Sequence, residues 1–266
     1  MGEVNYLPLI EDMTWSYSRV ECFNDCPYRF YLKYISGCQE NDRFYASYGS
    51  FIHGLIERYY RNELSQSEML TEFLVRFSDN VKGTRPAPGT VEKYIESGVK
   101  YLQQFKPFEM NMLSVEKRVD FEIDGLRFVG FIDYLGEKDG ELYIIDHKSR
   151  DLKPRSKREN PTVKDRELDK MLRQLYLYAE AIKQEYGKFP KSLCFNCFRT
   201  GVFIEEPFQE HAYREAMEWF KNSIDEIKTA EDFPPRLDFF ACRYICGVSE
   251  ECVYNQTDQN GRRGGK

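Results

Sequence analysis

Three apolar-rich stretches follow one another with almost nothing between them: LSVEKRVDFEI from Leu113, LRFVGFIDYL from Leu126 and ELYIIDHKS from Glu141. Asp124-Gly125 joins the first pair and Asp139-Gly140 the second, and Asp-Gly is a strong short-range signal for a tight hairpin turn. A chain carrying such a meander must build its domain around a sheet. Within the third stretch, LYIID is apolar without interruption, as expected of a central strand covered on both faces. Yet the second and third strands each hold an aspartate among apolar residues, Asp133 and Asp146, and Lys148 follows two places after Asp146. Ionised side chains resist burial unless they are paired or bound to a metal. Residues i and i+2 of a strand share a face, so Asp146 and Lys148 point the same way, with Asp133 at similar depth on the neighbouring strand. Such a set suits a hard cation, Mg²⁺ or Mn²⁺, that activates water, beside an ammonium that offsets developing negative charge. It also reads as a surface hairpin with solvated charges, and D-x-K alone does not choose between the two.

The segments around the meander read as helices. SYSRVECFNDCPYRFYLKYISG predicts one helix that stops at Gly37, and SYGSFIHGLIERYYRN a second over 47–62. Residues 65–105 read as further helix interrupted by KGTRPAPGT. The polar stretch LKPRSKRENPTVKDRE suits a mobile loop, followed by a helix over 168–186, strands near 192–199 and 202–207, and a helix to about Lys228. The expected fold class is therefore α/β (α+β), with a mixed central sheet flanked by helices. It is read as one domain over 1–254, with 47–110 largely helical, 111–208 forming the sheet core, and 255–266 a disordered tail.

The net charge is −6, so any nucleic-acid binding has to use a local basic patch. No run of about 18 apolar residues suggests a membrane span. The opening MGEVNYLPLIEDMTWS lacks the basic and apolar regions of a secretory signal, so a cytoplasmic location is expected. In that reducing setting the eight cysteines read as free thiols or metal ligands.

Taken together, GSFIHGLIERYY, GFIDYL, IIDHKS and QLYLYAEAI, with the opening SYSRVECFNDCPYRFYLKYI, resemble the PD-(D/E)XK nuclease superfamily. The resemblance is greatest to its RecB-like branch, which includes Cas4 and the nuclease domain of AddB. It spans nearly the whole chain with its elements in the family's order. It implies a restriction-endonuclease-like core with Asp133, Asp146 and Lys148 as catalytic residues. It also implies a Mn²⁺ or Mg²⁺ ion held by His53, Asp133, Asp146 and the backbone carbonyl of His147. Gln174 and Tyr178, one helical turn apart, correspond to a pair placed beside the active site. Glu116 resembles an acidic position in relatives but equally reads as a solvated strand residue, and it is left out of the metal set.

In the same branch one early cysteine before a proline and three late ones bind [4Fe–4S], which implies Cys26, Cys242, Cys246 and Cys252 here, with tetrahedral Zn²⁺ as the alternative. The late spacing is C-x₃-C-x₅-C where relatives show C-x₂-C-x₅-C. Cys194 and Cys197 read as buried thiols on opposite faces of a strand. Lys153, Arg155, Lys157 and Arg158 form either a DNA-tracking patch or a solvated face. The expected activity is a metal-dependent deoxyribonuclease, an exonuclease on DNA ends or single strands in repair, recombination or phage DNA processing. The alternative is a non-catalytic DNA-binding or structural subunit that keeps the fold.

Overall fold

The computed structural model describes residues 6–255. Helices α1 (Leu7–Glu11), α2 (Tyr17–Asp25) and α3 (Pro27–Phe30) lead into α4 (Phe44–Tyr60), α5 (Gln66–Asn80) and α6 (Pro88–Gln103). Strands β1 (Asn111–Ile123), β2 (Leu126–Lys138) and β3 (Glu141–Lys148) form the meander. Helix α7 (Val163–Tyr186) crosses over to β4 (Ser192–Cys197) and β5 (Val202–Pro207), and α8 (Glu210–Thr229) follows. The five strands lie in sequence order, antiparallel except for β3 beside β4. That parallel step is what α7 supplies, since parallel neighbours need a crossover. Both Asp-Gly turns have positive φ at their two central residues, as a two-residue hairpin of this hand requires.

Each face of the sheet is covered by its own helical layer. Val20, Leu175, Phe220 and Ile224, from α2, α7 and α8, pack against Ile132, Ile144 and Phe195. On the other face Tyr48, Ile52, Leu55, Phe73 and Leu102, from α4, α5 and α6, pack against Tyr134, Ile145 and Cys194. Strand β3 is the middle strand, and Leu142 to His147 are all buried, which accounts for its unbroken apolar run. Cys194 and Cys197 are both buried, one in each layer, as their spacing on a strand predicts.

The first helix is not continuous. Cys26 adopts an extended conformation and Pro27 starts a new helix, because proline drives the residue before it out of the helical region. Helix α7 begins at Val163 rather than near 168. Thr162 caps it, and Asp165 completes a reciprocal capping box. Asp165 also accepts from the Ser156 amide and hydroxyl, each at 2.7 Å, and Leu152 is buried. The stretch expected to be a mobile loop is thus tied down at both Leu152 and Ser156. Of the tail expected from 255, all but Asn255 lies outside the described residues. No helix among the described residues is long and apolar enough to cross a membrane.

Candidate active site

The pairing of β2 with β3 ends at Tyr134 opposite Ile145. One residue further, Asp133 replaces strand pairing with side-chain pairing: its Oδ2 accepts the backbone amide of His147 at 2.7 Å. The two strands part here, at the end of the sheet where Asp133, Asp146 and Lys148 stand. Lys148 Nζ lies 2.8 Å from Asp146 Oδ2 and donates to Gln174 Oε1 at 2.9 Å. Gln174 Nε2 in turn donates to the Tyr178 hydroxyl at 3.0 Å. Helix α7 therefore fixes the ammonium from the side, through two residues one turn apart. Tyr178 fits against the sheet because residue 130 is glycine; a Cβ there would overlap the Tyr178 ring.

Helix α4 contributes His53 from the opposite face. Its apolar stripe Tyr48, Ile52, Leu55 and Ile56 is buried, which turns His53 toward the strand ends. His53 Nε2 lies 3.1 Å from Asp133 Oδ2 and 3.2 Å from Glu116 Oε1. Glu116, which the sequence reading left out, joins the site through an unusual backbone: its φ is +52°, in a region that non-glycine residues rarely occupy. Such a conformation within a strand re-aims the side chain and is found most often at functional sites. Among the described residues, His53, Glu116 and Asp133 bring three ligand atoms within 4.8 Å of one another.

The site gathers three carboxylates, an imidazole and an ammonium, and their charges shift one another. Burial pushes the Asp146 carboxyl up to about 7 against the pull of Lys148. Burial alone would also raise Asp133, but the hydrogen-bonded His53, with His147 and Lys148, holds it below the usual carboxylate range. Burial would lower His53, yet Asp133, Glu116 and Asp146 outweigh it and raise the imidazole to about 9. Glu116 is raised by burial and by its acidic neighbours. His53 Nε2, Glu116 Oε1 and Asp146 Oδ2 are buried, and although each has an ion-pair partner, none has a hydrogen bond of good geometry. His53 Nε2, Glu116 Oε1 and an Asp133 oxygen lie close enough together to fit one divalent cation, which would compete with the His53 proton and gain ligands already desolvated. The His147 side chain points elsewhere. Its Nδ1 meets Asn196 Nδ2 at 2.9 Å, Asn196 also donates to the Tyr101 hydroxyl, and burial lowers the ring to about 4, leaving it neutral.

A cleft of about 720 Å³ opens over this group, lined by Tyr17, His53, Asp133, Asp146, Lys148 and Gln174 among others. The basic stretch after β3 is less available. Arg155 pairs with Glu206 at 2.9 Å and Asp169 at 2.7 Å, and Lys153 with Asp151 at 2.8 Å. Lys157 and Arg158 are exposed and carry no ion pair among the described residues.

The cysteines implied by the resemblance share one neighbourhood. Cys26 and Cys242 both act electrostatically on Cys246 and Cys252, and burial first, then these thiols, push Cys246 up to about 11. Cys242 lies within a π-helical turn, Ala241–Ile245, and Cys246 caps it, its amide donating to the Ala241 carbonyl at 2.8 Å. Cys22 instead accepts from Arg29 Nε at 3.2 Å.

Comparison with known proteins agrees with this geometry. A protein from Eubacterium rectale with a provisional exonuclease designation superposes over 90% of this chain and 87% of its own, at 15% identity and a TM-score of 0.51, which speaks to the fold. SSO0001 aligns over 93% of this chain and 95% of its own at 15% identity, with a TM-score of 0.30 that carries no argument. A search of curated proteins gave no match. The profile of the PD-(D/E)XK nuclease superfamily matches residues 14–253. That match covers nearly all of the chain, and the chain belongs to the PD-(D/E)XK nuclease superfamily.

Proposed function

We propose that this nuclease is a divalent-metal-dependent deoxyribonuclease of the RecB-like branch that removes nucleotides exonucleolytically from DNA ends or single strands. The observation that carries the reading is the convergence of ligand atoms from His53, Glu116 and Asp133 within 4.8 Å of one another, with the buried Asp146 near enough to Asp133 for their charges to interact. His53, Glu116, Asp133, Asp146 and the carbonyl of His147 would hold Mn²⁺ or Mg²⁺. An imidazole among carboxylates tilts the choice toward Mn²⁺. Such an ion supplies an activated water and screens the phosphate charge. Asp133 holds the two strand ends in register for this task through the His147 amide. Lys148 keeps its ammonium over the cleft and stabilises the negative charge that develops on the phosphate. Gln174 and Tyr178 hold that ammonium in place. Lys157 and Arg158, unpaired, are the residues of the basic stretch free to meet the DNA backbone.

Cys26, Cys242, Cys246 and Cys252 are assigned to a [4Fe–4S] cluster that clips the early helices to the chain's last described segment. In support, Cys26 and Cys242 both lie near enough to Cys246 and Cys252 to act on them electrostatically. Incubation of purified protein with end-labelled single- and double-stranded DNA tests the activity. Mn²⁺ or Mg²⁺ should give progressive loss of end nucleotides, and EDTA should stop it. DNA bound but uncut under every metal condition would favour the non-catalytic subunit.

A further inference from the structure

Arg43 occupies the cap position at the start of α4 and is chemically wrong for it. A cap residue accepts hydrogen bonds from the first amides of the helix, and a guanidinium accepts none; its charge also opposes the helix dipole. The side chain turns away from its own helix and is only 5% exposed. Its Nε donates to the Cys246 carbonyl at 2.7 Å, and its Nη2 donates to Ser249 Oγ at 2.8 Å and to the Gly247 carbonyl at 3.5 Å. Nη1 lies 3.6 Å from the Glu250 carboxylate. Alongside, the Asn41 amide donates to the Gly247 carbonyl at 2.8 Å. Residue 43 cannot shift to the other side, because it bridges to Thr84 and the backbone of Gly83 is pressed against Asp42 and Arg43. Burying a guanidinium is costly unless its donors are matched, so this one is committed to the segment that begins at Cys246.

Helix α4 carries this commitment to the other site. It runs without a break from Phe44 to Tyr60, and Gly49 rests against Ser149, just past β3, where a Cβ would lie 3.3 Å from Ser149 Oγ. Ten residues beyond Arg43, about 15 Å along the axis, His53 makes its contacts of 3.1 and 3.2 Å with Asp133 and Glu116. A tilt at the start of a rigid helix moves its far residues, and ligand distances tolerate little movement.

We propose that Arg43 is a positioning residue for the metal group: it registers α4 against the cysteine-bearing segment, so that order after Cys246 and cation affinity at His53, Glu116 and Asp133 are coupled. This rests on the reading of that group as a cation site. Coupling of this kind is reciprocal, and each site strengthens the other by the same factor. The test compares wild type, Arg43→Gln and the milder Ser249→Ala by Mn²⁺ titration calorimetry and by hydrogen exchange of residues 241–252 with and without Mn²⁺. Arg43→Gln should weaken Mn²⁺ binding on the order of 10-fold although no ligand is altered, and Ser249→Ala should shift it less, in the same direction. Mn²⁺ should slow exchange of 241–252 in wild type and fail to do so in Arg43→Gln. Unchanged Mn²⁺ affinity in both variants, with exchange indifferent to Mn²⁺, would reduce Arg43 to an anchor for the segment and overturn the proposal alone. A wild-type protein that binds no Mn²⁺ would overturn this proposal and the metal reading together.

Discussion

Asp133 Oδ2 accepts the His147 amide at 2.7 Å at the point where hydrogen-bonded pairing of β2 with β3 ends, so one carboxylate both fastens the sheet and meets His53 at the candidate cation site. Lys148 has no such double duty, since its partners are Asp146 and Gln174 side chains. Asp133→Ala should therefore lose activity and also stability, by about 1.5–3 kcal/mol for a charged hydrogen bond to a buried amide. Lys148→Met should lose about 10²–10³-fold in cleavage rate, as for removal of one group that stabilises transition-state charge, with a smaller fall in melting temperature than Asp133→Ala, since the stranded Asp146 can take up a proton. Thermal melting beside single-turnover cleavage separates them; equal melting temperatures for both variants would deny Asp133 its structural part.

Gly130 carries the second prediction. A methyl group there would overlap the ring of Tyr178, which meets Gln174, which holds Lys148. Gly130→Ala should cost about 1–3 kcal/mol through overpacking and slow cleavage as the chain to Lys148 is displaced. Tyr178→Phe, which keeps the ring and deletes only the hydroxyl, should keep the stability and lose less activity. Denaturant titration and cleavage rates check both, and a Gly130→Ala protein as stable as wild type would show that the ring can move away freely.

The meander, the central strand and the clustering of Asp133, Asp146 and Lys148 were legible because they rest on local rules: Asp-Gly turns, an unbroken apolar run and side-chain alternation. The break at Cys26 was missed: Pro27 signals it, but the helical spacing on either side hid it. The start of α7 was obscured by charge. Thr162 and Asp165 spell a capping box, yet they stand inside a run of lysines, arginines and acids that resembles a solvated loop. Glu116 could not be read from spacing, because only a positive φ turns it toward His53. Nor could Arg43, whose partners lie more than 200 residues away in sequence.

Asp165 yields a pH prediction. The Ser156 amide and hydroxyl and the Thr162 amide hold its carboxyl well below the usual range. A carboxyl depressed in the folded state adds stability that is fully present above its unfolded value of about 4. That contribution is lost as pH falls toward the lower folded value. Asp165→Asn should therefore be less stable than wild type at neutral pH, with the gap closing as pH drops below about 4. Melting temperatures measured across that range decide it; a gap constant down to strongly acid pH would mean that the charge contributes nothing.

His53, Glu116 and Asp133, whose ligand atoms lie within 4.8 Å of one another, are proposed to hold a divalent cation together with Asp146. Anomalous scattering from a crystal grown with Mn²⁺ tests it most directly. One strong peak is expected, bounded by these four side chains and the His147 carbonyl and lost in Asp133→Ala. A peak elsewhere, or none at this position with Mn²⁺ saturating, would contradict it.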